Sequence, residues 1–200
     1  MKALAPPAIV VLAAGKSARM GRRNKLLLEI GDETIIERAV RTAVDTRIGD
    51  VIVVVGADGE RIEVVMKKLQ VRVIHNADYA QGMASSIQAG VRAAGRRRTG
   101  FGICLGDMPD VQPSTFEHLA GALHENSQSI VVPVYEGVDG HPVFFGSRFY
   151  DSLLNLRGDA GGRGLIDRNP NAVIRIPVYD PGILMDIDTD EDFAQYKCDT

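Results

Sequence analysis

The chain has 200 residues, of which 45% are apolar and 24% are charged, and its formal net charge is −3. This length and composition predict one soluble globular domain over residues 1–200 with a sizeable core. The charge gives no indication of nucleic-acid binding, because the one basic run, 96–98, stands beside glycines and is interpreted as a solvated loop. No stretch approaches the ~20 apolar residues of a membrane span, so no membrane partner is expected.

The N-terminus imitates a signal peptide, with one lysine, an apolar stretch and small residues after it. Prolines 6 and 7 interrupt that stretch, and cleavage after Ala14 would cut a glycine-containing motif. Cys104 and Cys198 lie far apart, and Cys104 stands in an apolar run typical of a buried thiol in a reducing compartment. These features predict a cytoplasmic protein.

Short β-branched runs alternate with amphipathic segments through the first two thirds of the chain. The runs are predicted strands at 8–12, 51–55, 71–74 and 101–105. The helices between them are marked by apolar stripes, namely Ile36, Ala39, Val40 and Ala43; Ile62, Val65, Met66 and Leu69; Met83, Ile87, Val91 and Ala94; and Phe116, Leu119, Ala120 and Leu123. A capping box from Thr34 to Glu37 opens the first helix, and Pro113 starts the fourth. This alternation predicts an α/β fold with helices on both faces of a largely parallel sheet.

The pattern changes after residue 128. Runs at 129–134 and 141–145 are joined by a glycine-containing turn and predict a hairpin, so the sheet is expected to be mixed. Further strands are predicted at 172–178 and 183–188, and Thr189 is expected to cap a final short helix together with Asp192.

Unusual residues follow each of the first four predicted strands, at 13–25, 56–60, 75–86 and 106–110. Binding sites of parallel sheets lie at the carboxyl ends of the strands, where such loops lead into helices. We therefore expect these four loops to form one site.

The loop after the first strand contains the stretch Gly15-Lys16-Ser17, which imitates the end of a P-loop. The glycine that a P-loop needs five positions earlier is Val10, and the dinucleotide-binding fingerprint fails because Ser17 and Met20 stand where it needs glycines.

Phosphate-binding chemistry nevertheless remains in this loop. Gly15 and Gly21 allow a ligand to approach the backbone, and three cations stand close together, namely Lys16, Arg19 and Lys25. A solvated connection is the alternative, but phosphate binding explains the concentration of charge better.

Carboxylates supply candidate metal ligands. Asp107 directly follows a buried strand and is well placed to bind Mg²⁺, although an N-cap or turn aspartate explains it equally well. In an extended segment, Asp186 and Asp188 point to one face and supply a second ligand. The acidic residues 190–192 are interpreted as partners of a helix dipole.

Two further segments carry polar groups near glycines. His141 precedes Pro142 in the predicted hairpin, where it could bind an anion, exchange a proton or bond a turn carbonyl. The glycine-rich loop 157–164 is either a flexible connection or a second anion-binding loop. The chain shows no serine–histidine–carboxylate or cysteine–histidine arrangement. A phosphate nucleophile would need none, because phosphoryl chemistry depends on alignment, a metal and cations.

Six ordered motifs then point to a known family. They are LAAGKSARMGRRNKLLL, GMASSI, GDMP, GHPVFF, GDAGGR and DIDTDEDF. In this order they resemble the MobA-like nucleotidyltransferases and are most similar to the molybdenum cofactor cytidylyltransferases, over roughly residues 8–193. The resemblance implies a Rossmann-like nucleotidyltransferase fold with three α/β/α layers. It also implies a role in molybdenum cofactor biosynthesis, in which CMP passes from CTP to the terminal phosphate of molybdenum-loaded molybdopterin and pyrophosphate is released.

The resemblance also implies residue roles. Nucleotide binding would involve Ala13, Ala14, Gly15, Ser17, Arg19, Lys25, Gly82, Met83 and Ser85. The molybdopterin side would involve His141, Pro142, Asp159, Gly161 and Arg163. Asp107 would bind Mg²⁺ with Asp186 or Asp188, and the catalytic residues would be Arg19, Lys25 and Asp107. Transient contact with a molybdenum hydroxylase or its chaperone is a further implication.

Ala14 bears on the choice of base. The guanylyl-transferring relatives have LAGG where this chain has LAAG, and a methyl group at that turn crowds a purine more than a pyrimidine. CTP is therefore preferred to GTP. The alternatives are GTP as donor, a sugar or polyol phosphate as acceptor, and a non-catalytic accessory protein that binds the cofactor. A nicotinamide-dependent oxidoreductase is disfavoured because the glycine fingerprint is missing.

Overall fold

The structure is a computed structural model that describes residues 3–15, 24–159 and 161–199. The strands are β1 Ala8–Ala13, β2 Glu29–Ile30, β3 Glu33–Thr34, β4 Asp50–Val55, β5 Arg72–His75, β6 Gly100–Leu105, β7 Ile130–Tyr135, β8 Val138–Asp139, β9 Val143–Gly146 and β10 Val173–Pro177. The helices are α1 Ile35–Asp45, α2 Gly59–Met66, α3 Met83–Ala94, α4 Pro113–Glu125, α5 Tyr150–Leu154, α6 Arg163–Arg168 and α7 Asp190–Asp199.

The main sheet has the strand order β10-β7-β9-β6-β1-β4-β5, with β8 paired to β7. Its centre is β1, which runs parallel to β4 and to β6 in a continuous register. Strand β9 lies antiparallel between β6 and β7, which confirms the mixed sheet. Because β1 is apolar at every position, it can be buried on both faces, as central parallel strands are.

Alternation along β1 divides the core into two layers. Ile9 and Val11 point to the face covered by α1, α2 and α4, whereas Ala8 and Val10 point to the face covered by α3, α5 and α6. The three-layer α/β/α architecture predicted from the alternation of strands and helices is therefore confirmed.

Both predicted helix caps are present. The Thr34 hydroxyl accepts a hydrogen bond from the Glu37 backbone, and the Glu37 carboxylate accepts one from the Thr34 backbone at 2.8 Å. The Thr189 hydroxyl accepts a hydrogen bond from the Asp192 backbone at 3.1 Å, at the start of α7. Local sequence patterns thus fix where α1 and α7 begin.

The predicted strand at 183–188 is wrong. Residues 181–184 form a 3₁₀ turn. The Asp180 carboxylate caps the start of this turn by accepting a hydrogen bond from the Gly182 backbone. The backbone of Ile187 donates to the carbonyl of Asp107 at 3.1 Å. The segment therefore packs along the loop after β6 and does not extend the sheet.

Two further predictions concern compartment and membrane. Within the described part of the chain, no helix is both long enough and apolar enough to cross a bilayer. Cys104 is buried and Cys198 is exposed, and both are free thiols. Burial raises the pKa of the Cys104 thiol well above its usual range, so this side chain acts as a core residue.

Candidate active site

The ends of β1 and β6 meet at one edge of the sheet because the two strands are parallel neighbours. The Gly106 backbone donates a hydrogen bond to the Leu12 carbonyl at 3.0 Å, which joins the start of the loop after β6 to the end of β1. A cleft of about 370 Å³ opens there. Its lining residues are Leu12, Ala14, Gly15, Tyr79, Ala80, Gly82, Met83, Ser86, Leu105, Asp107 and Asp159. The convergence of loops expected from the sequence is therefore present, and we call this space the nucleotide cleft.

Parts of the predicted phosphate-binding loop lie outside the described residues. These are Lys16, Ser17, Arg19 and Gly21. Ala14 and Gly15 line the cleft. Ala13, in contrast, is buried in the core layer that contains α1, so its side chain faces away from the cleft.

Lys25 lies between two carboxylates that are distant in the sequence. Its Nζ atom is 2.6 Å from Oδ2 of Asp107 and 2.5 Å from Oδ1 of Asp188. The side chains of these three residues are 13%, 20% and 33% exposed, so the charges interact in a partly desolvated space. We call these three residues the Lys25 cluster.

The elements around the Lys25 cluster hold it in place. The Asn24 side chain accepts a hydrogen bond from the Leu26 backbone at 3.0 Å and donates to Asp58, which fixes the short turn that carries Lys25. The Ile187–Asp107 backbone bond brings the C-terminal segment to the same place.

Electrostatics within the cluster are strongly coupled. Burial by itself lowers the pKa of Lys25, but the charges and hydrogen bonds of Asp107 and Asp188 outweigh it, and the pKa is raised. The pKa of Asp186 is raised by burial and by the negative charges of Asp188 and Asp107. Asp186 therefore belongs to the same electrostatic environment as the Lys25 cluster.

The donor chemistry fits a divalent cation. Oδ1 of Asp107 is buried and has no hydrogen-bond partner, and oxygen ligands from carboxylates are those that Mg²⁺ prefers. Among the described residues, however, no three acidic, histidine or cysteine side chains are grouped as a complete metal site. Asp107 and Asp188 are arranged around an ammonium group in this structure.

Gly82 closes the cleft at the start of α3. Its φ is +101°, and a Cβ atom there would lie 2.8 Å from the Gly158 carbonyl oxygen and closer still to Oδ1 of Asp159. The Met83 backbone donates to Oδ1 of Asp159 at 3.2 Å. The loop at 157–159 thus packs directly against the helix N-terminus.

The predicted residue Ser85 lies on the other side of this helix turn. Its hydroxyl donates to the Gly82 carbonyl at 2.9 Å and accepts from the Asn76 amide. It lines a separate polar pocket with Gln81 and Gln88. Ser86 is the serine that lines the nucleotide cleft.

A second cavity of about 340 Å³ adjoins the nucleotide cleft and shares Met83 and Asp159 with it. Its apolar lining residues are Met83, Ile103, Val132, Val143, Phe145 and Ile166. Its polar lining residues are Asp139, His141, Asp159, Arg163, Asp167 and Arg175. We call it the acceptor cavity. It gathers His141, Asp159, Gly161 and Arg163, which are four of the five residues that the sequence assigned to the acceptor side.

His141 lines the wall of the acceptor cavity. Burial lowers its pKa, although a backbone hydrogen bond with Ile103 and the charges of Asp107 and Asp186 act in the opposite direction. Its Nδ1 atom is buried without a hydrogen-bond partner. The fifth acceptor-side residue, Pro142, follows through a cis peptide bond and is not among the residues that line the cavity.

Several residues at the two cavities and beside Lys25 were not predicted from the sequence. They are Asn24, Tyr79, Asp139 and Arg175. Arg175 forms a bidentate ion pair with Asp139, in which Nε and Nη2 donate to the two carboxylate oxygens at 2.8 and 2.9 Å. Both residues line the acceptor cavity. Asn24 directly precedes Lys25, which is a local signal, whereas Asp139 and Arg175 lie on strands whose proximity the sequence does not reveal.

Curated proteins of known sequence resemble the chain along almost its whole length. The family profile described as a MobA-like NTP transferase domain matches residues 9–173. The chain is 31% identical to the purine catabolism protein PucB of Bacillus subtilis and 26% identical to the molybdenum cofactor cytidylyltransferase of Escherichia coli, with 94% of each chain covered in both cases. It is 28% identical to the nicotine blue oxidoreductase of Paenarthrobacter nicotinovorans, over 91% of this chain and 92% of that protein.

Solved structures extend the likeness to three dimensions. Rv0371c from Mycobacterium tuberculosis superposes with a TM-score of 0.86 at 28% identity and with 98% of both chains covered. A complex of Rv0371C with manganese has a TM-score of 0.82 at 25% identity, and covers 98% of this chain and all of that one. The Rossmann-like nucleotidyltransferase fold expected from the motifs is thereby confirmed.

Proposed function

This chain belongs to the family of MobA-like NTP transferase domains, and we propose that it transfers CMP from CTP to the terminal phosphate of molybdenum-loaded molybdopterin. The products are the cytosine dinucleotide form of the cofactor and pyrophosphate. The proposed metal is Mg²⁺, and the proposed compartment is the cytoplasm, whose reducing conditions suit two free cysteines.

The observation that carries this proposal is that the nucleotide cleft, which Asp107 of the Lys25 cluster lines, adjoins a second cavity and shares Met83 and Asp159 with it. Asp107 lines the nucleotide cleft, and His141, which experiences the charge of Asp107, lines the acceptor cavity. A group-transfer enzyme needs a donor site and an acceptor site that meet where charge develops. Here the Asp159 carboxylate lines both cavities, and Asp107 lines the nucleotide cleft beside them.

The reaction requires little acid–base chemistry from the protein. An oxygen of the acceptor phosphate bonds to the α-phosphorus of CTP, the bond from that phosphorus to the bridging oxygen breaks, and pyrophosphate leaves with the electron pair. The attacking phosphate is largely ionised at pH 7, because its second pKa is about 6. Burial lowers the pKa of His141, which favours the neutral imidazole, so His141 would orient the acceptor by hydrogen bonding and would not attract it by charge.

The charged groups of the chain have distinct tasks in this scheme. Lys25 would bind the phosphate oxygens of CTP, as a flexible ammonium group can. Asp107 and Asp188, with Asp186 beside them, would hold the divalent cation, which when bound neutralises phosphate charge and polarises the reacting phosphate. Ala14 and Gly82 would shape the pocket for the nucleotide, since both line the cleft.

The character of the acceptor cavity supports a flat heterocyclic acceptor over a sugar or polyol phosphate. Six apolar side chains line it together with six polar ones, among them Arg175 and Asp139. Apolar walls with a few placed polar groups suit a flat ring whose edge forms hydrogen bonds. A polyol would leave hydroxyl groups against apolar walls, which costs free energy.

Two relatives favour a second candidate function. PucB and nicotine blue oxidoreductase have names that do not denote a cytidylyltransferase, and both are more similar in sequence to this chain than the cytidylyltransferase is. The second candidate is a protein that binds the cofactor and passes it to a molybdenum hydroxylase without catalysis. It would bind CTP and the cofactor but release no pyrophosphate.

The test is pyrophosphate release by the purified protein with Mg²⁺ and molybdenum-loaded molybdopterin, with CTP and GTP in parallel. We expect release with CTP and little with GTP. Release with GTP alone would contradict the base assignment. Binding without release with either nucleotide would contradict catalysis and favour the accessory role.

A variant pair tests the assigned carboxylate. We expect Asp107→Ala to abolish pyrophosphate release while circular dichroism stays unchanged, because Asp107 lies in the loop after β6 and outside both layers of the hydrophobic core. Asp110→Ala is the control, because it removes another carboxylate of the same loop. The Asp110 carboxylate contacts Arg38 and Tyr196 and is not part of the Lys25 cluster. Wild-type turnover by Asp107→Ala would rule out the role given to Asp107.

A further inference from the structure

Lys25 occupies the space where a cation between Asp107 and Asp188 would bind. We propose that Lys25 and the divalent cation are alternative occupants of this position, so that the metal enters only as the Lys25 ammonium moves to the phosphates of the nucleotide. The proposal rests on the metal assignment of the proposed function and assigns Lys25 a role in the order of binding.

The distances place Lys25 between the two carboxylates. Nζ of Lys25 is 2.6 Å from one carboxylate and 2.5 Å from the other. A Mg²⁺ ion held by both carboxylates, at about 2.0–2.1 Å from their oxygens, would lie within a few ångströms of this ammonium group, whichever oxygens it used. An ammonium group left in place would repel the ion at close range in a poorly solvated site.

One candidate ligand atom, Oδ1 of Asp107, makes no hydrogen bond to Lys25. Oδ1 of Asp107 is buried and has no hydrogen-bond partner, while Oδ2 of the same carboxylate accepts from Lys25. A buried acceptor without a partner is costly. A cation that reached both oxygens of Asp107 would remove that cost, which the single ammonium does not.

Lys25 has a reason to stay until a nucleotide arrives. Its side chain is only 13% exposed, and its Nζ atom contacts both Asp107 and Asp188. An ammonium that left these two carboxylates without gaining new anionic partners would lose both contacts in a partly desolvated space, which is unfavourable. The triphosphate supplies new anionic partners in the adjoining cleft, and the lysine stem is flexible enough to follow them.

This exchange couples the two ligands. Without nucleotide, the metal must displace Lys25 and binds weakly. With nucleotide, Lys25 has phosphate partners and no longer occupies the position between the carboxylates that the metal would take. Coupling free energies are reciprocal, so the metal raises nucleotide affinity by the same factor. The protein would thus load metal and nucleotide together.

The experiment measures Mn²⁺ binding without nucleotide, by the loss of the free Mn²⁺ signal in electron paramagnetic resonance. We expect Lys25→Met to bind Mn²⁺ about tenfold more tightly than the wild type, within the usual range of coupling between sites. Arg38→Met is the matched control. It also removes one positive charge beside a carboxylate of the same loop, since Arg38 Nη2 is 2.9 Å from Asp110, but it leaves the Lys25 cluster intact.

A thermal measurement gives a second readout. We expect Lys25→Met to melt at a lower temperature than the wild type without metal, because three carboxylates then repel one another, and to recover when Mn²⁺ is added. Arg38→Met should show no such recovery. Should Lys25→Met be unfolded without metal, Lys25→Gln keeps a hydrogen-bond donor for the carboxylates and carries the same expectation for Mn²⁺ affinity.

Two outcomes would overturn the exchange. One is an unchanged or weaker Mn²⁺ affinity in both Lys25 variants. The other is an equal gain in Arg38→Met, which would show a general effect of net charge. Neither measurement uses molybdopterin, CTP or turnover, so a wrong acceptor would leave the result interpretable. Loss of Mn²⁺ binding in wild type and Lys25→Met alike would refute the metal assignment itself.

Discussion

At the scale of single residues, the proposed choice of CTP over GTP as the nucleotide donor depends on one methyl group. The Ala14 side chain is buried and lines the nucleotide cleft, whereas the Ala13 side chain packs into the core. Adjacent residues of a strand end point to opposite faces, so only one of the two methyl groups can meet a base. We therefore assign the proposed preference for CTP to Ala14.

We expect Ala14→Gly to lower the ratio of the kcat/KM values for CTP and GTP by about tenfold, since one methyl group in a pocket discriminates by roughly 10- to 200-fold. Pyrophosphate release at several nucleotide concentrations measures this ratio. Ala13→Gly removes the same group and adds the same backbone freedom on the core side, so its ratio should equal that of the wild type. An unchanged ratio in Ala14→Gly would contradict the steric account.

At the scale of elements, the two ends of α3 offer a matched comparison. Gly82 precedes the helix with φ +101° and ψ 175°, and Gly95 follows it with φ +81° and ψ 161°. Both backbone conformations are nearly restricted to glycine, and another residue there costs about 1–3 kcal/mol. They differ in surroundings, because a Cβ at Gly82 would press on Asp159 and Gly158, whereas a Cβ at Gly95 would meet nothing within 4 Å.

We therefore expect Gly82→Ala and Gly95→Ala to lose similar backbone stability, about 1–3 kcal/mol each in urea unfolding. Gly82→Ala alone should raise the KM for CTP, because the added methyl group pushes the loop at 157–159 away from the nucleotide cleft. Steady-state kinetics at saturating acceptor would detect this. Equal KM values for the two variants would show that the contact with Asp159 does not shape the cleft.

The N-terminus of α1 predicts a dependence of stability on pH. Burial by itself raises the pKa of Glu37, but hydrogen bonds from Thr34 and Lys68 outweigh it and hold the pKa below its ordinary value of 4.5. The unfolded chain then takes up the proton at a higher pH than the folded chain does. The stabilisation is complete above pH 4.5 and is lost as the pH falls through the lower pKa of the folded state.

We expect Glu37→Gln to cost about 1 kcal/mol at pH 7, as the loss of a cap does, and to cost less as the pH falls below the ordinary value. Urea unfolding at a series of pH values measures the difference. Glu33→Gln removes a carboxylate that pairs with Arg41 and is more exposed than the carboxylate of Glu37. This variant should change stability by less than about 0.5 kcal/mol. A cost for Glu37→Gln that does not vary with pH would contradict the assignment.

At the scale of the whole molecule, local patterns and long-range contacts differ in how well the sequence predicts them. The buried runs of β1 and β4 and the caps of α1 and α7 were predictable, because hydrophobic period and capping residues act within a few positions. The edge of the sheet where the loops converge followed from the parallel order.

The contacts that assemble the site were not predictable in this way. Lys25 meets Asp107 across 82 residues and Asp188 across 163, and no local pattern encodes such distances. The predicted strand at 183–188 failed for a related reason. The β-like run there is overridden by Asp180, which turns the chain locally and binds a distant helix.

Asp180 is the residue that ties the C-terminal segment to the rest of the molecule. Its carboxylate is 2% exposed. Oδ2 accepts from the Gln112 backbone at 2.8 Å and the Thr115 hydroxyl at 2.6 Å, and Oδ1 accepts from the Gly182 backbone. The segment that it anchors carries Asp186 and Asp188 to the Lys25 cluster. The second carboxylate of the site, Asp188, therefore depends on a buried group that lies eight residues earlier in the sequence.

We expect Asp180→Asn to lower the free energy of unfolding by about 1–3 kcal/mol, because its amide group would face donors that need an acceptor. The same variant should weaken Mn²⁺ binding, since Asp188 loses its fixed position. Thr115→Val removes one donor from the same oxygen, so the losses of the double variant should fall short of the sum of the two single losses. Urea unfolding and Mn²⁺ titration of the three variants provide both readouts. Wild-type Mn²⁺ affinity in a destabilised Asp180→Asn would show that the anchor serves stability alone and that Asp188 finds Lys25 and Asp107 without it.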